Sequence, residues 1–373
     1  MTLIAFACTN TTATWGGSEE LWSQTAAMLL NKHTEVRTNV VGWTTWPKQL
    51  QNLHASGCVV TVSRQNTIYA KVLRRLKLHH DFAWLDQTRP DLVVISQGGF
   101  LDGVSWMLAC AERRIPFVTI AQCASDFHWP SDAEAGIARR AYASALMSYF
   151  VSEANLNLVR DQVGFEFPNA EVVRNPFQVS YHSKPTWPDT NDGFRLACVG
   201  RLMAQHKGQD LLIRTLSAYK WRERPISVSL IGAGPNLDIL RIMIDRYNAP
   251  NVAISGFSSN IEDVWKTHHG LILPSRHEGL PLAVVEAMLQ ARVPIVTAIA
   301  GNPEVIEDNV TGFLAAAPTV EHLDEALERA WAKRDQWREM GLAAARSIRE
   351  TVPQDPIIAF ADKLLAKARG IAQ

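Results

Sequence analysis

The chain is short of several things, and each shortage removes a class of explanation. It has no charge surplus, with 37 Lys plus Arg against 37 Asp plus Glu. No global field therefore recruits nucleic acid, and any attraction to an anionic membrane has to be local. The five cysteines, Cys8, Cys58, Cys110, Cys123 and Cys198, are odd in number, dispersed and mostly set in apolar stretches, which favours reduced core thiols and a cytoplasmic protein over a disulfide framework. No apolar run suits a bilayer span, since the most apolar later stretch, Leu280 to Ala300, contains Glu286, Gln290, Arg292 and Pro294. The apolar start, Met1 to Cys8, lacks a basic leader and reads as a buried first strand. There is no Asp-x-Asp metal motif, no short repeat and no low-complexity tract.

What is present is a doubled pattern. At 373 residues the chain exceeds the size at which one core stops growing, so two domains are expected. Short Val/Ile/Leu-rich runs alternate with helical patterns, as parallel strands joined by crossover helices do. Strands are expected at Leu3 to Thr9, Val36 to Trp43, Cys58 to Val62, Leu92 to Ser96, Phe117 to Ala121 and Tyr149 to Ser152, with helices including Ser18 to Leu30 and Asp102 to Arg113. The stretch Tyr181 to Gly193 (YHSKPTWPDTNDG) is poor in apolar residues and reads as a linker. A second strand series follows at Arg195 to Val199, Ser227 to Ile231, Val252 to Ser255, Gly270 to Leu273 and Pro294 to Thr297. Its helices lie near Gly208 to Tyr219, Asn236 to Tyr247, Pro281 to Gln290 and Val320 to Arg346. After Pro356 breaks the chain, a last helix is expected at Ile357 to Ala368. The division is thus 1–180, a linker 181–193, 194–352, and a C-terminal segment 353–373.

Four segments carry candidate chemistry. Pro274 to Met288, PSRHEGLPLAVVEAM, runs from a buried strand through a turn into a helix, and ligands of parallel sheets bind at such strand ends. Gly279 permits close backbone approach, Pro281 suits a first helical turn, and the free amides behind it offer a phosphate site. Glu286 lies roughly 7.5 Å along the helix axis from Pro281, with Glu278 ahead of the helix. The two carboxylates can accept hydrogen bonds from opposite ends of one elongated ligand, sugar at one end and ribose at the other. Two glutamates at this spacing also arise by chance about once in a chain this long, so the pair carries weight only in company.

In Cys198 to Gln209, CVGRLMAQHKGQ, a strand ends at Gly200, followed by Arg201 and Lys207. A guanidinium and an ammonium at a strand end can clamp a diphosphate, or be an ordinary surface pair. In Trp15 to Glu20, WGGSEE, Gly16 and Gly17 form a tight turn with Ser18 as N-cap. The glycines of LIGAGP, Gly232 and Gly234, invite a dinucleotide reading that fails because Leu237 occupies the third glycine's place. The basic stretch Tyr69 to His80 (YAKVLRRLKLHH) is either a solvated helix face or a membrane-surface element.

Taken together these segments resemble a retaining glycosyltransferase of family 4. The E-x7-E pair at Glu278 and Glu286, the elements at Gly200, Arg201, Lys207 and Gly208, the turn at Gly16, and AIAGNPEVIEDNVTGFL at Ala298 to Leu314 occur in that family's order and spacing. The resemblance implies an α/β GT-B fold, two facing Rossmann-like domains with parallel sheets and an interdomain cleft, the last helix crossing back to the first domain. It implies a donor that is a nucleoside-diphosphate-sugar, UDP by default and GDP as the alternative, with no permanent cofactor and no bound metal. Arg201 and Lys207 would neutralise the diphosphate and Glu286 would hold the ribose. Glu278 would meet the transferred sugar, while Gly279 and Leu280 lend amides and Gly16 and Gly17 approach the donor. The acceptor would be a glycan or lipid-linked hydroxyl, with peripheral membrane contact through residues 69–80, as in polysaccharide biosynthesis. The chain departs from the family where a histidine often follows the strand at Phe117 to Ala121: Gln122 and Cys123 stand there, and His128 comes later. Gln122, Ser125, Asp126 and His128 are the acceptor-side candidates. A sugar-nucleotide epimerase of the same architecture and a silent sugar-nucleotide binder are the competing readings.

Overall fold

The computed structural model describes residues 2–10, 15–42, 45–63, 82–183 and 186–371; the basic stretch at Tyr69 to His80 lies outside them. The chain divides into two compact units, Met1–Pro176 with Asp355–Gln373, and Phe177–Gln354.

In the first unit β1 (Leu3–Cys8), β2 (Glu35–Val41), β3 (Val59–Ser63), β4 (Leu92–Gly99), β5 (Phe117–Cys123), β6 (Met147–Phe150) and β7 (Ala170–Val172) form one sheet in the order β3-β2-β1-β4-β5-β6-β7. All described pairings are parallel. Every residue of β1 is buried, and its side chains alternate between two cores. Ile4, Phe6 and Cys8 join the cluster containing Trp22 and Phe360, whereas Ala5 and Ala7 join the one containing Trp106 and Tyr142. That is the period of two expected of a strand covered on both faces. The helix Pro356–Ile371 packs in this unit, with Phe360 edge-on to Tyr149 at 5.0 Å between ring centroids and ion pairs Lys32–Asp362 and Lys363–Glu171 at its flanks. Pro356 opens this helix and does not break the chain before it, because a fixed φ and a missing N–H are harmless at a first helical position.

The second unit repeats the design. β8 (Phe194–Val199), β9 (Ile226–Ile231), β10 (Val252–Gly256), β11 (Gly270–Leu273), β12 (Val293–Thr297) and β13 (Phe313–Ala315) are ordered β10-β9-β8-β11-β12-β13. This is the doubly wound arrangement, whose strand order reverses between β8 and β11. β7 and β13, three residues each, are too short for periodicity to reveal them. The single helix expected at Val320 to Arg346 is two, Val320–Ala332 and Trp337–Thr351, joined by a 3-10 turn. The bend buries Trp337, whose indole N–H donates to the Ala330 carbonyl at 2.9 Å.

Residues 186–193 are held along the second unit. The Arg292 guanidinium, 1% exposed, donates to the carbonyls of Trp265 (2.7 Å) and Thr186 (2.8 Å) and lies 5.4 Å over the Trp187 ring. Burial holds its pKa down at about 10. His269 accepts the Arg195 N–H at Nδ1 (2.9 Å) and reaches the Asp189 carbonyl through Nε2 (3.0 Å), so it is neutral with its proton on Nε2. Burial, followed by the charge of Arg195, holds its pKa below the ordinary value. The unfolded chain takes this proton near pH 6.5 and the folded one only at lower pH, so stability is complete above about pH 6.5 and declines as pH falls below it. The melting temperature is expected to fall between about pH 7.5 and 5.5, and His269→Gln, which keeps a donor and an acceptor, to flatten that slope. An unchanged slope in the variant would remove His269 from this account.

Candidate functional site

The sharpest constellation sits at the C-terminal ends of β8 and β11, the adjacent strands where the second sheet reverses its order. β11 (GLIL) is buried throughout, and the chain leaves it at Pro274, which cannot donate to a ladder. The loop Ser275 to Pro281 follows, then the helix Leu282–Leu289, in which every residue from Ala283 onward is buried. From β8 the chain runs through Gly200 and Arg201 to the short turn Ala204–Lys207 and on to Gly208.

Several contacts join these two loops. Arg276 holds Asp210 in bidentate fashion, 2.6 and 2.8 Å, and also donates to the Ala204 carbonyl at 2.8 Å; hydrogen bonding to Asp210 raises its pKa. The Arg276 N–H donates to the His206 carbonyl at 2.7 Å. Lys207 Nζ donates to Glu278 Oε1 at 2.6 Å, the carboxylate being 7% and the lysine 23% exposed. Gly208 makes the approach possible: its φ is +67°, and a Cβ there would stand 1.9 Å from the Pro274 carbonyl oxygen.

The other expected donor-site residues take these places. The Arg201 carbonyl accepts from Gln209 Nε2 at 2.8 Å, and the residue as a whole is half-buried. Glu286 is buried and its Oε1 accepts the Gln178 N–H at 2.9 Å. The Gly279 carbonyl accepts the Gly301 N–H at 2.8 Å; among the described residues no acceptor takes the amides of Gly279 or Leu280. Pro281 is the N-cap and the helix starts one residue later. The LIGAGP glycines serve packing: a Cβ on Gly232 would meet the Gly200 carbonyl oxygen at 2.0 Å, and one on Gly234 the Leu202 carbonyl oxygen at 2.4 Å. Burial pushes the Cys198 thiol, at the end of β8, up to about 12.

In the first unit the glycine turn precedes the helix Gly17–Asn31, and Gly16, not Ser18, is its N-cap. The reason is the buried Glu19, whose carboxylate reaches back. Oε2 accepts from the Gly16 N–H (2.9 Å) and Ser18 Oγ (2.7 Å), while Oε1 accepts from Asn10 Nδ2 (2.6 Å). Gln122 and Asn175, both buried, exchange amide hydrogen bonds of 3.2 and 2.7 Å. Ser125 is buried and its Oγ accepts the Phe127 N–H, while Asp126 and His128 are exposed. Burial raises the Asp102 pKa, against the Gly99 N–H that donates to it at 2.7 Å. Sequence reading missed Arg276, Asp210, Ser275, Gln209 and Glu19. Arg276, Ser275, Gln209 and Glu19 stood inside segments already singled out, and Asp210 one residue beyond, but their partners are distant in sequence or their letters common.

Residues 193–333 match the family described as glycosyl transferases group 1. The GDP-mannose-dependent alpha-(1-6)-phosphatidylinositol monomannoside mannosyltransferase of Mycobacterium tuberculosis is 29% identical over 161 residues, 40% of this chain and 41% of that protein. The glycogen synthase of Pseudomonas syringae pv. tomato is 31% identical over 164 residues, 43% of this chain and 31% of that one. The matched stretch thus spans less than half the length of these relatives. Among solved structures, Anabaena HepE in complex with UDP and glucose superposes with a TM-score of 0.76 at 19% identity, covering 97% of this chain and 99% of that one. The lipopolysaccharide outer core galactosyltransferase WaaB does so with 0.68 at 20%, covering 98% and 100%. The chain has the GT-B fold of two Rossmann-like units with parallel sheets, and the match to the glycosyl transferases group 1 family lies within the second of them. Among the described residues no helix is long and apolar enough to cross a membrane.

Proposed function

We propose that this protein is a family 4 glycosyltransferase that moves a sugar from a nucleoside-diphosphate-sugar to a hydroxyl acceptor with retention of anomeric configuration and without a metal. The observation that carries the reading is the meeting of Lys207 and Glu278 at 2.6 Å, at the reversal point of a Rossmann-like sheet inside the family match. Arg201, Lys207 and the amides of Gly279 and Leu280 receive the diphosphate, Glu286 the ribose and Glu278 the transferred sugar; Gly16 and Gly17 are assigned to the donor as well. The bond between the anomeric carbon and the phosphate oxygen breaks, its electron pair leaving with the diphosphate. A bond from that carbon to the acceptor oxygen forms on the same face, and the acceptor's proton passes to the departing diphosphate oxygen. The cations and amides stabilise the leaving charge in the way a preorganised set of donors does. Gln122, Ser125, Asp126 and His128 are assigned to the acceptor, a glycan or lipid-linked hydroxyl. Four buried thiols and the use of a nucleotide sugar fit a cytoplasmic protein, with residues 69–80 as its membrane-surface element.

The HepE complex contains UDP and the mycobacterial relative depends on GDP-mannose, so both bases belong in the test. UDP, GDP and ADP are screened by thermal shift, where a ligand at 100 times its Kd adds about 2.7 kcal/mol to the folded state. One diphosphate is expected to raise the melting temperature, and its sugar conjugates to release it only when an acceptor is supplied. A rearranged free sugar without acceptor would instead indicate an epimerase, affinity without release a silent binder, and no shift with any of the three would sink the donor-site assignment.

A further inference from the structure

Glu278 is held by more than the lysine. Its Oε1 accepts from Lys207 Nζ at 2.6 Å and from Ser275 Oγ at 2.7 Å, whereas no donor among the described residues reaches Oε2. Ser275 is fully buried and is itself anchored, its carbonyl accepting from Thr297 Oγ1 at 2.6 Å. The Thr297 carbonyl in turn accepts from Asn302 Nδ2 at 2.9 Å, and both residues are fully buried. From the same segment the Gly301 N–H binds the Gly279 carbonyl at 2.8 Å. The end of β12 and the turn after it thus grip the chain on both sides of Glu278, at residues 275 and 279.

We propose that Ser275, anchored through Thr297, is a positioning residue that divides the Glu278 carboxylate between two tasks, Oε1 to Lys207 and Oε2 to a hydroxyl of the transferred sugar. The terminal torsion of a glutamate is broad, and an ammonium on a four-carbon stem follows the carboxylate wherever it turns. Lys207 alone therefore cannot set the direction of Oε2. A serine hydroxyl has one proton to give; given to Oε1 from a fixed backbone, it sets the plane of the carboxylate and leaves the second oxygen to ligand. The same arrangement couples the diphosphate end of the donor to its sugar end, because the cation assigned to one is bonded to the anion assigned to the other. This inference rests on the reading of Glu278 as the sugar-facing acid.

The test compares Ser275→Ala, Ser275→Thr, Thr297→Val and Glu278→Gln in the full chain, measuring kcat with the active donor, affinity for the free nucleoside diphosphate by calorimetry, and melting temperature. Ser275→Ala is expected to lower kcat by roughly 10- to 100-fold, the range for groups that orient another residue and do not touch the reactant, while diphosphate affinity stays as in the wild type. Ser275→Thr, which keeps the hydroxyl, should recover most of the rate. Thr297→Val, which leaves Ser275 in place but frees its carbonyl, should give an intermediate loss and covers the case in which the added methyl of the threonine variant does not fit. Wild-type kcat in Ser275→Ala beside an impaired Glu278→Gln would overturn the inference alone, as would a parallel loss of kcat, diphosphate affinity and melting temperature. If Glu278→Gln also turned over normally, the underlying reading of the site would be what failed.

Discussion

Lys207→Ala is expected to lower turnover at saturating donor by about 10²- to 10³-fold, the loss found when one preorganised donor to a developing negative charge is removed. The ammonium lies on the loop after β8, and its position is set by a carboxylate 2.6 Å away that is only 7% exposed. Its removal therefore acts twice. The leaving diphosphate loses a point charge, and Glu278 keeps Ser275 as a neutral donor but no cation, which destabilises a buried anion. Glu278→Gln should also lose turnover but keep its melting temperature more nearly, because the amide oxygen still accepts from Ser275. The double variant Lys207→Ala/Glu278→Gln separates the effects: it should regain stability relative to Lys207→Ala, since no charge is left buried, without regaining turnover. Residues in direct contact should also be non-additive in such a cycle. Undiminished turnover in both single variants at saturating donor would mean that the chemistry lies elsewhere.

Gly208→Ala is expected to cost about 3 kcal/mol or more of stability and to lower turnover with it. At φ +67° an L-residue already pays about 1 to 2 kcal/mol, and its Cβ would stand 1.9 Å from the Pro274 carbonyl oxygen. That atom is backbone, so no rotamer change relieves the clash. The loops of β8 and β11 have to separate, and with them Lys207 from Glu278. Gly256→Ala is the control, with φ +76° and nothing within 4 Å of its Cβ; it should pay only the conformational cost and leave turnover unchanged. Denaturant unfolding and steady-state kinetics on both variants check this, and equal stability losses at the two positions would show that the close approach at Gly208 has no energetic weight.

The doubled parallel-sheet plan was legible because central strands such as LIAFAC and GLIL are buried on both faces and read as unbroken apolar runs. The candidate acids and cations were legible because they sit where those runs end. Misreadings fall where local letters compete with distant partners. Ser18 looks like a cap, yet Gly16 is the N-cap, because Glu19 reaches back to accept its N–H and the Asn10 amide. Pro356 looks like a break, yet it opens a helix. Residues Val320 to Arg346 look like one helix, yet the burial of Trp337 bends them into two.

The order of elements, the strand ends that carry Arg201, Lys207 and Glu278, and the two-unit plan follow from periodicity, which is a property of neighbours along the chain. That Lys207 bonds Glu278, that Arg276 ties the two loops through Asp210, and that Ser275 aims the acid are decided only by which strands lie side by side. β8 and β11 are more than seventy residues apart in the chain and adjacent in the sheet, and no local pattern encodes a contact whose two halves are fixed by the packing of everything between them.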